Sequence, residues 1–242
     1  MRARADYTAH DVNVVPAASL LAEPTRAAML TAMLDDRPLA AGELARLSGV
    51  SPATASAHLA RLLHGGLVTV IKQGRHRYYR LAGPEIAAVM EALAHLSPVT
   101  PVRSLRQSQD AAALALARTC YDHLAGRAGV ALLDALLARR LLVAPQANGL
   151  PERFEVTADG LATLTSFGLD MGALKRTRRR FAGACLDWTE RKPHLNGALG
   201  AAITARLLGL GWLDRGTRRR AVRITPAGEE GLAATFGWSP EA

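Results

Sequence analysis

Aromatic side chains are scarce here: Phe, Tyr and Trp supply 5% of 242 residues, although hydrophobic residues reach 49%. A core must therefore be built from Leu, Ala and Val, which favours helices over a β-sandwich. Cysteine is scarcer still. Cys120 and Cys185 are the only two, too few for a disulfide framework, and they point to a reducing cytoplasm. No apolar run reaches the length of a membrane span and the start carries no cleavable signal pattern, so no membrane association is expected. A Gly-rich phosphate loop, a G-x-S-x-G elbow and an H-E-x-x-H pair are all missing, and no acid/base pair sits on one element, which speaks against an enzyme. The most informative absence is local. Residues 51–80 contain no Asp or Glu, yet hold Arg61, Lys72, Arg75, Arg77 and Arg80. In a chain of net charge +9, such a stretch attracts a polyanion, nucleic acid before others.

The elements around that stretch give it a shape. Residues 17–34 read as a helix with Leu20, Leu21, Ala28, Met29 and Met33 on one side, kinked or restarted at Pro24. "AAGELARLSGV" (40–50) reads as a short helix ended by Gly49, and Ser51-Pro52 as an N-cap with proline at the first helical position. Two helices across so tight a turn have helix-turn-helix spacing. After Gly66 the period changes to two: Leu67–Lys72 and Arg77–Leu81 flank a basic turn, the outline of a wing. "PEIAAVMEALAHL" (84–96) then forms a helix whose stripe of Ile86, Val89, Met90, Leu93 and Leu96 exceeds what a small interior needs and suggests a partner helix.

In "SPATASAHLARLLHGG" (51–66), Leu59, Leu62 and Leu63 supply the buried stripe. The opposite face shows Ser51, Thr54, Ser56, His58 and Arg61, without a carboxylate that phosphates would repel. Hydroxyls suit phosphates and mixed base edges, and Arg or His can read guanine in a major groove. Arg75, His76 and Arg77 on the wing would reach a neighbouring phosphate or the minor groove. The expected partner is a double-stranded DNA operator. A rival reading keeps the winged helix as scaffold for a ligand-binding or protein-interaction module.

"EPTRAAMLTAM", "LARLSGVSPATASAHLARLLHGGLV" and "GRHRYYRL" together resemble the ArsR-type family of bacterial winged-helix repressors over residues 16–96. The resemblance implies a homodimer joined through the first and last helices, operator binding, and release by a small inducer. The seam would use Leu20, Leu21 and Met29 with Val89, Met90, Leu93 and Leu96. The chain departs from the family's metal sensors: "GELARLSGV" has no cysteine, and residues 84–98 lack the Asp/His set.

Residues 1–96 are thus expected to be the DNA-binding and dimerisation domain, 97–110 a linker or helix lead-in, and 111–242 an effector region. That region holds a repeat: "GVALLDALLARRLLV" from Gly129 aligns on "GAAITARLLGLGWLD" from Gly200, an offset of 71, and a later "T-x-x-G" follows in each copy. The expected fold is mostly α with small β-hairpin wings: a winged helix-turn-helix followed by two degenerate winged-helix-like units. The first copy's wing, "APQANGLPERF", is almost uncharged; the second holds Arg215, Arg218, Arg219, Arg220 and Arg223, either touching DNA or simply solvated. Cys120 and His123 are three apart, the spacing of one helical face, and Cys185, Asp187 and His194 lie close enough in sequence to converge. Thiolate and imidazole together suit a thiophilic metal ion or redox sensing. The same residues could instead be packing cysteines and a hydrogen-bonded His–Asp pair, which would leave an organic inducer between the repeats.

Overall fold

The computed structural model describes residues 12–98, 104–145, 152–216 and 219–239. The chain divides into two compact units, Met1–Met90 and Glu91–Ala242. In the first, α1 (Val15–Leu21) and α2 (Pro24–Ala32) are separate helices. Pro24 opens α2 because the extended Glu23 caps it, its carboxylate accepting the amides of Thr25 and Arg26. Next come β1 (Leu39–Ala40), α3 (Ala41–Leu47) and α4 (Pro52–His64). Ser51 caps α4, its hydroxyl accepting the Thr54 amide. The strands β2 (Val68–Gln73) and β3 (His76–Leu81) form the wing, and β1 pairs with β3 to give the sheet order β1-β3-β2. Tyr79 faces inward while Tyr78 is half-buried.

The core of this unit is Met29, Leu30, Met33, Leu44, Leu59, Leu62 and Leu81. That corrects one expectation: Met29 is 0% exposed and serves the unit's own core, so it is not available to a dimer seam. Helix α5 (Pro84–Leu96) spans the division between the units. On it Met90 is also buried, whereas Val89, Leu93 and Leu96 are exposed. Leu20 and Leu21 are half-buried.

After the end of α5 the second unit continues with α6 (Leu105–Leu116), so a helix already starts inside the expected linker, of which residues 99–103 lie outside the described ones. Then the order hairpin, helix, hairpin, helix occurs twice. The first copy is β4 (Arg118–Cys120), β5 (His123–Ala125), α7 (Arg127–Ala138), β6 (Leu142–Val143), β7 (Glu155–Val156) and α8 (Ala158–Ser166). After α9 (Met171–Lys175), the second is β8 (Gly183–Leu186), β9 (Pro193–Asn196), α10 (Gly197–Gly209), β10 (Leu213–Arg215), β11 (Val222–Ile224) and α11 (Pro226–Phe236). Each copy therefore has the expected helix and wing, preceded by a further hairpin. Six residues of the first wing, 146–151, lie outside the described ones.

The "T-x-x-G" phrases are matching helix caps. Thr157 accepts the Gly160 amide and donates to the Arg140 carbonyl; Thr225 accepts the Gly228 amide and donates to the Gly211 carbonyl. Two glycines let the helices sit directly on their hairpins. A Cβ on Gly129 would lie 2.4 Å from the Leu124 carbonyl oxygen, and one on Gly200 would lie 2.5 Å from that of Leu195. The next neighbours are exchanged between copies: His194 Cβ for Gly129 and His123 Cβ for Gly200. Leu133, Leu136, Leu199, Ile203, Leu207 and Phe236 fill the shared core, so the repeats make one interior.

Candidate functional site

On α4 the side chains of Ser51, Thr54, Ser56 and Arg61 are exposed, while Ala55, Leu59 and Leu62 are buried. Amphipathic spacing thus turns the hydroxyls and Arg61 outward. Local bonds hold the hydroxyls: Ser51 Oγ is 2.9 Å from Thr54 Oγ1, and Ser56 Oγ donates to the Pro52 carbonyl. The wing brings Arg75, His76 and Arg77 to an exposed tip. Its register sets Lys72 directly opposite Arg77. Like charges across an antiparallel pair repel one another, and a polyanion relieves that repulsion.

The second unit holds a different chemistry. Cys120 and His123 are register partners on β4–β5, and Cys185 and His194 are register partners on β8–β9. One ligand atom from each of these four residues lies within 4.8 Å of the others. The sulfurs are 4.0 Å apart and the imidazoles stack with centroids 5.1 Å apart. His123 and His194 are almost fully buried, Cys120 is buried and Cys185 half-buried. His123 Nε2 and both ring nitrogens of His194 make no hydrogen bond among the described residues.

The thiols titrate as a pair. The neighbouring Cys185, then burial, push the Cys120 thiol up. Cys120, then the two imidazoles, pull Cys185 down against burial. Burial works to lower the His123 pKa, but Asp122 and Cys185 outweigh it and raise it; in His194 burial prevails and lowers it.

An acidic residue stands behind each imidazole. Asp122 Oδ1 is 3.3 Å from His123 Nδ1, and Asp122 is paired with Arg179. Burial would raise the Asp122 pKa, but His123 and Arg179 hold it at about 2. Asp187 Oδ2 is 3.6 Å from His194 Nδ1 and 2.9 Å from Arg118 Nη2, the latter an ion pair with both side chains 0% exposed.

A family profile described as "Helix-turn-helix domain" matches residues 21–71. The HTH-type transcriptional regulator YdfF of Bacillus subtilis (strain 168) is 43% identical over 217 residues, covering 90% of this chain and 94% of that one. The chain belongs to the helix-turn-helix transcriptional regulators. Similar solved structures cover its N-terminal third. HlyU from Vibrio cholerae N16961 is 34% identical over 34% of this chain and 89% of that chain, with TM-score 0.32. A homodimeric winged helix-turn-helix DNA-binding domain from Mycobacterium bovis, Mb0332 (fragment 1–100), is titled a possible ArsR-family transcriptional regulator. It is 30% identical over 37% of this chain and 87% of that chain, with TM-score 0.32.

Several residues of the regulator sit elsewhere than expected. His58 does not stand free on the α4 face: it turns to α2, where its Nδ1 is 3.2 Å from Glu23 Oε2, leaving the side chain 16% exposed. Cys120 and His123 converge across a hairpin, not along a helix. Asp187 is outside the four-residue group and is occupied by Arg118, Gly126, Thr189 and Glu190. In the second repeat's wing Arg220 turns inward, pairing with Glu91 and donating to the Thr119 carbonyl, and Arg223 pairs with Asp214; Arg218 lies outside the described residues. Arg118 and Asp122 were not singled out from the sequence, and Arg179 belongs to the basic run "KRTRRR" (175–180), whose expected reading was a solvated helix or loop and not a partner for Asp122. A signal for the paired hairpins does exist: the offset of 71 also sets His123 on His194 and Gly126 on Gly197. No helix among the described residues is long and apolar enough to cross a membrane.

Proposed function

We propose that the regulator is a cytoplasmic, homodimeric repressor that grips an inverted-repeat operator and is released by an inducer received in residues 111–242. The observation that carries this reading is the exposed, acid-free face of α4 beside a wing that juxtaposes Lys72 and Arg77. In the dimer the two α4 helices stand roughly 34–36 Å apart, one turn of DNA, each reading a half-site. Ser51, Thr54, Ser56 and Arg61 choose bases; Arg75, His76 and Arg77 hold the backbone. Val89, Leu93 and Leu96 meet their counterparts from the second copy, in keeping with the ArsR-type resemblance and with their exposure in the single chain. The cysteine–histidine group supplies the input chemistry, since the family's N-terminal sensor residues are missing. Footprinting the full chain on its own upstream DNA tests the proposal. A protected, two-fold symmetric site whose occupancy falls steeply with salt supports it, and protection of no site at low salt overturns it.

A further inference from the structure

Two thiols and two imidazoles are gathered in the interior of the second unit, and several of their polar atoms lack a partner. A buried polar atom left without a partner is costly, so a free nitrogen on each of two buried imidazoles, facing two thiols, calls for a ligand. The distances choose among ligands. Thiolates bound at about 2.3 Å to one tetrahedral ion stand about 3.8 Å apart, close to the 4.0 Å between Cys120 Sγ and Cys185 Sγ. A disulfide would need the sulfurs to close to about 2.0 Å, and it would leave the imidazole nitrogens unsatisfied.

We propose that Cys120, His123, Cys185 and His194 form a closed, four-coordinate site for a thiophilic d10 ion, zinc(II) by its ligand set. Sulfur donors disfavour magnesium and calcium, and four protein ligands leave no open position for catalysis. On binding, the two thiols release their protons to solvent, and two thiolates neutralise one divalent charge. Asp122, held by Arg179, fixes His123 by its Nδ1 and leaves Nε2 for the ion; Asp187, held by Arg118, lies 3.6 Å from His194 Nδ1, too far for a hydrogen bond, and supplies negative charge behind that ring. Each repeat contributes one Cys–His pair, so an ion bolts the two leading hairpins together. For its regulatory consequence alone, this rests on the reading of residues 111–242 as the receiving half.

The test uses the full chain, reduced and treated with chelator, and titrated with cobalt(II) as a spectroscopic stand-in. One equivalent should bring up tetrahedral d–d and thiolate-to-cobalt charge-transfer bands, which zinc(II) then abolishes. Cys120→Ser and His194→Gln should each lose the charge-transfer spectrum or alter it. Because the chain has only two cysteines, alkylation gives a second readout that needs no variant: zinc(II) should slow modification of both thiols by about tenfold or more. No cobalt–thiolate band together with unslowed alkylation overturns the site, as does a disulfide forming equally fast with and without zinc(II). Footprinting of the same samples keeps the readings apart. Operator protection without metal binding sinks only the site, and metal binding without operator protection sinks only the repressor.

Discussion

Replacing Asp187 by asparagine should be among the most damaging single-atom changes available in the second unit. Its Oδ2 accepts from Arg118 Nη2 at 2.9 Å and from the Gly126 amide at 2.7 Å. Its Oδ1 accepts from the Thr189 amide and hydroxyl and from the Glu190 amide. An asparagine amide has one acceptor oxygen, so either flip points an NH2 group at donors. It also leaves the Arg118 guanidinium, 0% exposed, without a counter-charge. Breaking a buried pair in this way costs about 3–5 kcal/mol. For a unit of this size, each kcal/mol lowers the melting temperature by about 2–4 °C, so a fall of roughly 10 °C is expected. The assay is simple because Trp188, Trp212 and Trp238, all the tryptophans of the chain, lie in the second unit. Their fluorescence follows that unit alone, and Trp188 lies 4.5 Å from the guanidinium carbon of Arg118. Arg118→Met, and the double variant, complete a cycle whose coupling should reach about 2–3 kcal/mol. A loss below about 1 kcal/mol for Asp187→Asn would refute the reasoning, since that is the scale of an exposed pair.

Arg77→Ala should weaken binding to all DNA sequences alike and reduce the salt slope by about one, whereas Arg61→Ala should relax preference at one operator position; filter binding against point-substituted operators tells them apart. Leu93→Asp should weaken self-association by roughly a hundredfold or more, because the charge would be buried in the seam; sedimentation at the wild-type dimer affinity would place the seam elsewhere. The Glu23 carboxyl is pulled upward by its surroundings but held at about 2 by the Thr25 and Arg26 amides. Its cap on α2 should therefore be complete above the unfolded value near 4.3 and fade as pH falls towards 2, which carboxyl NMR would follow; a midpoint near 4.3 contradicts it. Gly200→Ala sets a Cβ 2.5 Å from a backbone oxygen and should cost about 1–3 kcal/mol by urea denaturation, with an unchanged midpoint the contrary result.

The winged helix was legible because its signals are local. Ser51-Pro52 caps a helix wherever it occurs, glycines close the short helices, and a period of two around Gln73-Gly74 leaves little but a hairpin. The absence of acid over residues 51–80 likewise needs no fold to be read, and the repeated "T-x-x-G" phrases were visible in the sequence, although the structure is what shows them to be helix caps. Periodicity could not say what a helix face meets. Met29 and Leu93 are both apolar stripe residues, yet the first is claimed by the core of its own unit while the second is exposed. Charge could not say where an arginine points: Arg77 stays at the wing, while Arg220 is drawn inward by Glu91, far away in sequence. The hairpins carrying Cys120 with His123 and Cys185 with His194 have strands of three or four residues, too short for alternation to announce them. Only tertiary structure brings them together, because it is the docking of one repeat on the other, with Gly129 and Gly200 allowing the helices to close, that sets sulfur against sulfur and imidazole against imidazole.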